Sequence, residues 1–187
     1  MLIGYAYTGS FCTISKSIEI MHKLIDAGND ILPIMSNNAY SIDTRFGNAE
    51  DVRNRITEIC KREVIHTIVD AEPLGPKIKL DALIISPCTG NTLSKIANGI
   101  TDTPVCMAAK AHLRSNRPLV LALATNDALS ANLSNIAILL SRKNVYFTPM
   151  VQDDPENKPH SLVADFDLIE NTLKNALMGK QISKIFI

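Results

Sequence analysis

The chain has 187 residues, of which 46% are hydrophobic and 20% are charged. This length suits one domain, and this hydrophobic fraction is typical of a folded globular protein rather than a disordered chain. Lys and Arg together number 19, and Asp and Glu also number 19, so the formal net charge is zero. Proteins that bind nucleic-acid duplexes normally carry an excess of basic residues, so we expect no nucleic-acid partner.

The sequence contains neither a membrane-spanning run nor a disulfide pattern. No apolar run reaches the roughly 18–20 residues that a spanning helix needs, and residues 1–5 lack the basic segment of a signal peptide. We therefore expect a cytoplasmic protein that binds no membrane. The four cysteines (Cys12, Cys60, Cys88 and Cys106) are widely spaced and form no C-x-x-C pair. Free thiols are favoured over a disulfide framework or a metal site.

Strand-like apolar runs alternate along the chain with apolar positions at helical spacing. The strand-like runs are residues 2–7, 31–35, 64–69, 82–86, 119–123 and 145–147. Helical spacing is found over residues 14–25, 52–59, 89–99, 105–113, 129–140 and 166–178. The end of a helix is the alternative to a strand over residues 64–69. Residues 70–79 and 152–160 are polar and contain proline, so they are predicted to be loops.

This alternation of strands and helices favours right-handed strand–helix–strand units. We predict a single domain over residues 1–187 with a three-layer, Rossmann-like α/β fold. Its sheet would be doubly wound, mainly parallel and covered by helices on both faces. In such a sheet, ligands bind beyond the C-terminal ends of the strands, so the residues that follow each strand are the candidate site residues.

Polar residues follow the first two predicted strands. Thr8-Gly9-Ser10-Phe11 comes after the first strand, and Ser36 comes after the second. The glycine permits a tight turn, and the hydroxyls, with the free N–H groups of the following helix, can hold an anion. A plain turn with a serine cap is the alternative, because the sequence contains neither a G-x-G-x-x-G fingerprint nor a P-loop.

A third polar segment begins at the end of the strand over residues 82–86. It reads Ser86-Pro87-Cys88-Thr89-Gly90-Asn91-Thr92. Gly90 permits close backbone approach, and Asn91 and Thr92 supply donors at the start of a helix. A simple helix cap needs only one such residue, so this loop is predicted to bind a ligand. Cys88 is a candidate reactive thiol, although a cysteine at a strand end is more often a small packing residue.

Residues Pro87 to Asp102 (PCTGNTLSKIANGITD) resemble the P-A-[ST]-A-N-T…K-I-A-x-G-I-x-D signature of a family of FMN-binding proteins. These are the homo-oligomeric flavin-containing cysteine decarboxylases and their relatives, and the resemblance runs from residue 1 to about residue 150. It implies FMN as the cofactor and a homo-oligomer based on trimers. The implied cofactor-binding residues are Gly9, Ser10, Phe11, Ser36, Ser86, Pro87, Cys88, Thr89, Gly90, Asn91, Thr92 and Cys106.

The sequence departs from the decarboxylase pattern in two places. The loop over residues 71–76 contains no histidine where the decarboxylases place a catalytic one, and residues 123–126 keep only the Asn of their P-x-M-N motif. Gly90 stands where the family usually has alanine. We expect this small change to glycine to be compatible with the pocket. No Ser/His/Asp grouping has a spacing that supports nucleophilic catalysis, so no catalytic residue is assigned.

The sequence resembles one branch of the family more than it resembles the decarboxylases. This branch comprises the flavoprotein subunits of two-subunit synthases that oxidise a small dicarboxylate. The matching segments are residues 7–13, 71–76 and 86–92. This resemblance implies a partner subunit that carries the NAD(P) site. Asn126, Arg114 and Arg117 are candidates to bind the substrate carboxylates, because a guanidinium binds a carboxylate in a bidentate fork. A flavin-dependent decarboxylase and a non-catalytic subunit that stabilises its partner are the alternatives.

Overall fold

The most apolar segments of the chain form the central strands of one sheet. The computed structural model describes residues 1–187. Five strands are parallel, namely β1 (Leu2–Tyr7), β2 (Asp30–Met35), β3 (Ala82–Cys88), β4 (Leu119–Thr125) and β5 (Val145–Phe147). Two short strands, β6 (Met150–Val151) and β7 (Leu162–Ala164), pair with each other in antiparallel orientation. All residues of β3 are buried, as expected for a strand that is covered on both faces.

The strand order places a topological switch between β1 and β3. The order is β2-β1-β3-β4, after which β4 pairs with β5 along its first half and with β7 at its C-terminal end. From β1 the chain first moves outwards to β2 and then returns to β3 on the other side of β1. A crevice therefore opens beyond the C-terminal ends of these two strands, where ligands bind in doubly wound sheets.

Helices cover both faces of the sheet. One face is covered by α1 (Ile14–Asp26), α3 (Ala49–Cys60) and α8 (Ile169–Leu177). The other is covered by α4 (Ile68–Ala71), α5 (Gly90–Ala97), α6 (Pro104–Leu113) and α7 (Leu133–Leu140). The short α2 (Asn37–Ser41) follows β2. Each face has its own core of 24 buried residues, because successive side chains of a strand point to opposite faces. The predicted three-layer, doubly wound fold is confirmed. No helix is long and apolar enough to cross a membrane.

The structure differs from the sequence-based prediction at three places. Residues 64–69 form no strand but a single bridge between Ile34 and Ile65, followed by α4, whose start Thr67 caps by accepting the N–H of Asp70. The helix predicted over residues 129–140 begins only at Leu133, because turns precede it. The β6–β7 pair and α2 are not indicated by the sequence, since such short elements leave no period to recognise.

Candidate functional site

Three loops meet beyond the C-terminal ends of β1, β2 and β3. Two adjoining cavities open at this edge of the sheet and share Gly9 and Thr89. The polar compartment has a volume of about 200 Å³ and is lined by Gly9, Ser36, Asn37, Asn38, Thr89, Asn91, Thr92, Lys95 and Thr103. The wider cavity has a volume of about 610 Å³ and reaches from the first loop to the end of β4 and the loop after β6.

The polar compartment is electropositive and contains no carboxylate. Three helices begin at its wall, since the hydroxyls of Ser36, Thr89 and Thr103 each accept the backbone N–H three residues ahead. The starts of α5 and α6 bring unpaired backbone N–H groups and the positive ends of two helix dipoles. Lys95 adds an ammonium group, which is itself paired with Asp102 at 2.8 Å. The compartment therefore suits an anion.

Thr8 joins the loop after β1 to the loop after β3. Its hydroxyl donates to the carbonyl oxygen of Pro87 at 2.7 Å and accepts the N–H of Thr89 at 2.9 Å. Thr8 is only 1% exposed, so no water competes for these two hydrogen bonds. One buried side chain thus determines how the Gly9 turn sits relative to the start of α5.

A buried polar network supports the third loop from the core side. Ser86 Oγ lies 2.9 Å from Ser17 Oγ, which donates to the carbonyl oxygen of Ser86 at 2.6 Å. The hydroxyl of Tyr5 donates to the carbonyl oxygen of Ser17 at 3.0 Å. Burial raises the pKa of Tyr5 to about 12, so this phenol stays neutral. Ser86 therefore faces the core rather than either cavity.

The structure brings together about half of the residues that the sequence predicts for cofactor binding. Those that line one of the two cavities are Gly9, Ser10, Phe11, Ser36, Thr89, Asn91 and Thr92. Behind the loop surface lie the buried residues Ser86, Pro87, Cys88 and Gly90. Cys106 lines a separate cavity beside α5 and α6. Burial raises the pKa of the Cys88 and Cys106 thiols, so both stay protonated and are poor nucleophiles.

The three candidate substrate residues lie at two different edges of the sheet. Asn126 follows β4 and lines the wider cavity. Arg117 precedes β4, where it donates to the carbonyl oxygen of Leu80 at 2.6 Å. Because a strand rises about 3.3 Å per residue, the length of β4 separates the two. Arg114 lines the separate cavity beside α5 and α6. The expectation that both arginines share a site with Asn126 is therefore not met within one chain.

Polar side chains fill the space that a Cβ atom at Gly90 would need. A Cβ atom there would lie 2.5 Å from Nδ2 of Asn132 and 2.7 Å from Oδ1 of Asp127. The hydroxyl of Thr125 is equally close, at 2.7 Å. These three side chains form one cluster, because Asp127 accepts the hydroxyl of Thr125 at 2.5 Å and the amide of Asn132 at 2.9 Å. The glycine at position 90 therefore leaves room for this polar cluster, which would have to shift to accommodate a Cβ atom.

The wider cavity also contains residues that the sequence did not single out. They are Cys12, Thr13, Arg45, Phe46, Ala124, Thr125, Asp153, Lys158, Ser161 and Val163. Most lie on the loop between α2 and α3 or near the loop after β6. These two loops are distant in sequence, and only the whole fold brings them to one cavity. In the polar compartment, Thr103 had a local signal, because it precedes a proline at the first position of α6.

The chain belongs to the flavoprotein family, whose model matches residues 1–173. It is 45% identical to the B subunit of dipicolinate synthase from Bacillus subtilis (strain 168), over 99% of this chain and 92% of that protein. The crystal structure of the corresponding B subunit from Bacillus halodurans matches with a TM-score of 0.91 and 41% identity, over 100% of this chain and 95% of that one. A dodecameric FMN-dependent UbiX-like decarboxylase from Escherichia coli O157:H7 matches with a TM-score of 0.66 and 25% identity, over 80% of each chain. The resemblance to the flavoprotein family is thereby confirmed.

Replacing Thr8 by valine keeps the shape of the side chain and removes both hydrogen bonds to the third loop. The carbonyl of Pro87 and the N–H of Thr89 then lose this partner, so we expect the free energy of unfolding to fall by about 2 kcal/mol or more. Thr148 is the matched control, because it is 0% exposed and its hydroxyl has no hydrogen-bond partner. Thr148→Val should leave stability unchanged or raise it. Urea denaturation measures the free energy of unfolding of both variants. An equal decrease in the two variants would contradict the role of Thr8.

Proposed function

We propose that this chain is the FMN-binding subunit of a dipicolinate synthase and acts during sporulation. Together with the A subunit of that synthase, which would carry the NAD(P) site, it would oxidise dihydrodipicolinate to dipicolinate in the cytoplasm. The observation that carries the proposal is the carboxylate-free polar compartment beside the wider cavity at the β1–β3 switch, in a chain 45% identical to the B subunit of a dipicolinate synthase.

The phosphate of FMN fits where the polar compartment adjoins the wider cavity, with Ser36 lining the former and Ser10 lining the latter. The hydroxyl of Thr13 donates to the carbonyl oxygen of Ser10 at 2.9 Å and lies 3.1 Å from Ser10 Oγ, and Ser36 Oγ accepts the N–H of Ala39 at 3.3 Å. Neither serine hydroxyl donates a hydrogen bond within the chain, so each keeps its proton free to donate to a phosphate oxygen. We assign the phosphate to these two hydroxyls, the Gly9 turn and the start of α5.

The wider cavity fits a ring system beside that phosphate. Phe11, Ala124 and Val163 provide apolar surface, and Asn126 and Thr125 provide polar groups at its wall. FMN, when bound, supplies a ring that can accept two electrons. The residues of this chain would bind the phosphate, orient the ring and hold the substrate beside it.

The oxidation of the substrate balances as the loss of one hydride and one proton, which leaves an aromatic ring. In the proposal, the hydride ends on the oxidised nicotinamide held by the partner. Cysteine decarboxylation is disfavoured, because residues 71–76 contain no imidazole and residues 123–126 keep only the Asn of the P-x-M-N motif. A non-catalytic role, in which this chain would only stabilise its partner, is distinguished by measuring the rate of the partner with and without this chain.

Ser10→Ala and Ser36→Ala each remove a hydrogen bond to a charged phosphate, worth about 1.5–3 kcal/mol. We expect the FMN Kd to rise about tenfold or more in each variant, since 1.4 kcal/mol corresponds to a factor of ten. Quenching of FMN fluorescence measures the Kd. Ser41→Ala is the control, because Ser41 lies on α2 but lines neither cavity at the strand ends. An unchanged FMN Kd in the Ser10→Ala/Ser36→Ala double variant would locate the phosphate elsewhere.

We also propose a homo-oligomer based on trimers. One structurally similar flavoprotein is dodecameric, which is compatible with trimeric units. Sedimentation velocity of the FMN-loaded chain at micromolar concentration is expected to show a species of three chains or a multiple of three. A flavin-loaded monomer at that concentration would contradict the proposal.

The proposed activity is tested in an assay that contains both subunits. We expect dipicolinate to form from dihydrodipicolinate only when this chain, FMN and the nicotinamide-binding A subunit of the synthase are all present. The ultraviolet absorbance of dipicolinate follows the reaction. We expect no release of CO₂ from peptidyl cysteine substrates, because a missing general acid or base typically costs about 10²–10⁴-fold in rate. If the partner reaches the full rate without this chain, this chain is not a catalytic subunit.

A further inference from the structure

The wider cavity contains two cationic side chains that the proposed function leaves without a role. Arg45 comes from the loop between α2 and α3, and Lys158 comes from the loop between β6 and β7. They therefore reach the same cavity from two distant parts of the chain. Phe11 and Phe46 contribute aromatic surface to this cavity, and Asn126 lies at the same wall.

Arg45 lies at the tip of a tight turn. Thr44 and Gly47 exchange two backbone hydrogen bonds of 3.1 Å, so Arg45 and Phe46 are the two residues at the tip. The N–H of Phe46 also donates to Thr44 Oγ1 at 3.1 Å. The guanidinium of Arg45 stacks over the ring of Phe46, with 4.8 Å between Cζ and the ring centroid. The guanidinium is thus presented by an ordered turn and not by a free side chain.

No carboxylate of the protein neutralises Arg45. None of the salt bridges in the chain includes this residue. The nearest acidic residue in sequence, Asp43, instead accepts the backbone N–H of Ala49 at 2.8 Å, at the start of α3. The N–H groups of Arg45 are therefore available to a carboxylate from outside the chain.

Lys158 is held in place by a neighbour and still has free donors. Its ammonium donates to Oδ2 of Asp153 at 2.9 Å, while Oδ1 of Asp153 accepts the hydroxyl of Ser161 at 2.7 Å. The hydrogen bonds from Ser161 and Lys158 hold the pKa of Asp153 below its usual range, so this carboxylate is ionised. An ammonium has three N–H groups, so two of those on Lys158 remain for a ligand. With Arg45, these groups give the cavity a net positive charge.

We propose that Arg45 and Lys158 bind the two carboxylates of a planar six-membered ring dicarboxylate. Arg45 would take one carboxylate in a bidentate fork, and the free N–H groups of Lys158 would take the other. The ring between the carboxylates would lie against the apolar surface of the cavity. This assignment rests on the proposed function, which supplies the substrate class. It replaces Arg114 and Arg117, which lie away from Asn126.

The test uses the full-length, FMN-loaded chain and pyridine-2,6-dicarboxylate (dipicolinate) as the probe. Calorimetric titration in metal-free buffer gives its Kd for the wild type, Arg45→Gln and Lys158→Gln. We expect the Kd to rise about tenfold or more in each variant, because each loses hydrogen bonds between charged groups. Arg55→Gln and Lys143→Gln are the matched controls, since both residues are exposed and line neither cavity at the strand ends. Both controls should keep the wild-type Kd.

A second probe separates two specific contacts from general attraction of anions. Pyridine-2-carboxylate has one carboxylate, so it needs one of the two cations, and at least one of the variants should leave its Kd unchanged. The FMN Kd should be the same in all variants. If the wild type binds FMN but no dipicolinate, or if both variants keep the wild-type dipicolinate Kd, the assignment of Arg45 and Lys158 is overturned while the proposed function stands. If the wild type binds no FMN, the proposed function itself fails.

Discussion

The hydroxyl of Thr8 joins the two loops at the centre of the site. It is hydrogen-bonded to Pro87 and Thr89 across the β1–β3 switch, and it is shielded from water. A parallel sheet brings strand ends to one edge, but it does not determine how the loops beyond that edge lie relative to one another. Here a buried side chain determines it. The start of α5, the Gly9 turn and the polar compartment between them follow from this contact.

The two cavities present different kinds of hydrogen-bond donor to a negatively charged ligand. The polar compartment relies on hydroxyls, on backbone N–H groups at helix starts and on one lysine whose charge Asp102 partly offsets. The wider cavity relies on side-chain cations, Arg45 without a carboxylate partner and Lys158 with one. Backbone donors hold an anion in a constant geometry, which suits a resident cofactor. In our proposal, the two side-chain cations instead bind the substrate, which must leave after each turnover.

Gly90 and the cluster of Thr125, Asp127 and Asn132 separate this chain from the decarboxylase pattern. The cluster occupies the volume in which relatives of the family would hold an alanine methyl group. The glycine at position 90 leaves room for these polar side chains, because a Cβ atom there would require them to shift. Thr125, which lies in the segment that departs from the P-x-M-N motif, is one of the three.

The sequence by itself determined the layers of the fold and the position of the ligand loops. The spacing of apolar residues along strands and helices indicates which side chains are buried, and the motif from Pro87 to Asp102 is one continuous segment. Each of these signals lies within a short stretch of sequence, so each can be recognised without the fold. Only the tertiary structure decided that Ser86 faces the core, that Arg117 lies at the opposite edge from Asn126, and that Arg45 and Lys158 line one cavity. The direction of a side chain and the meeting of distant loops depend on packing among all the elements, and no local pattern of residues contains that information.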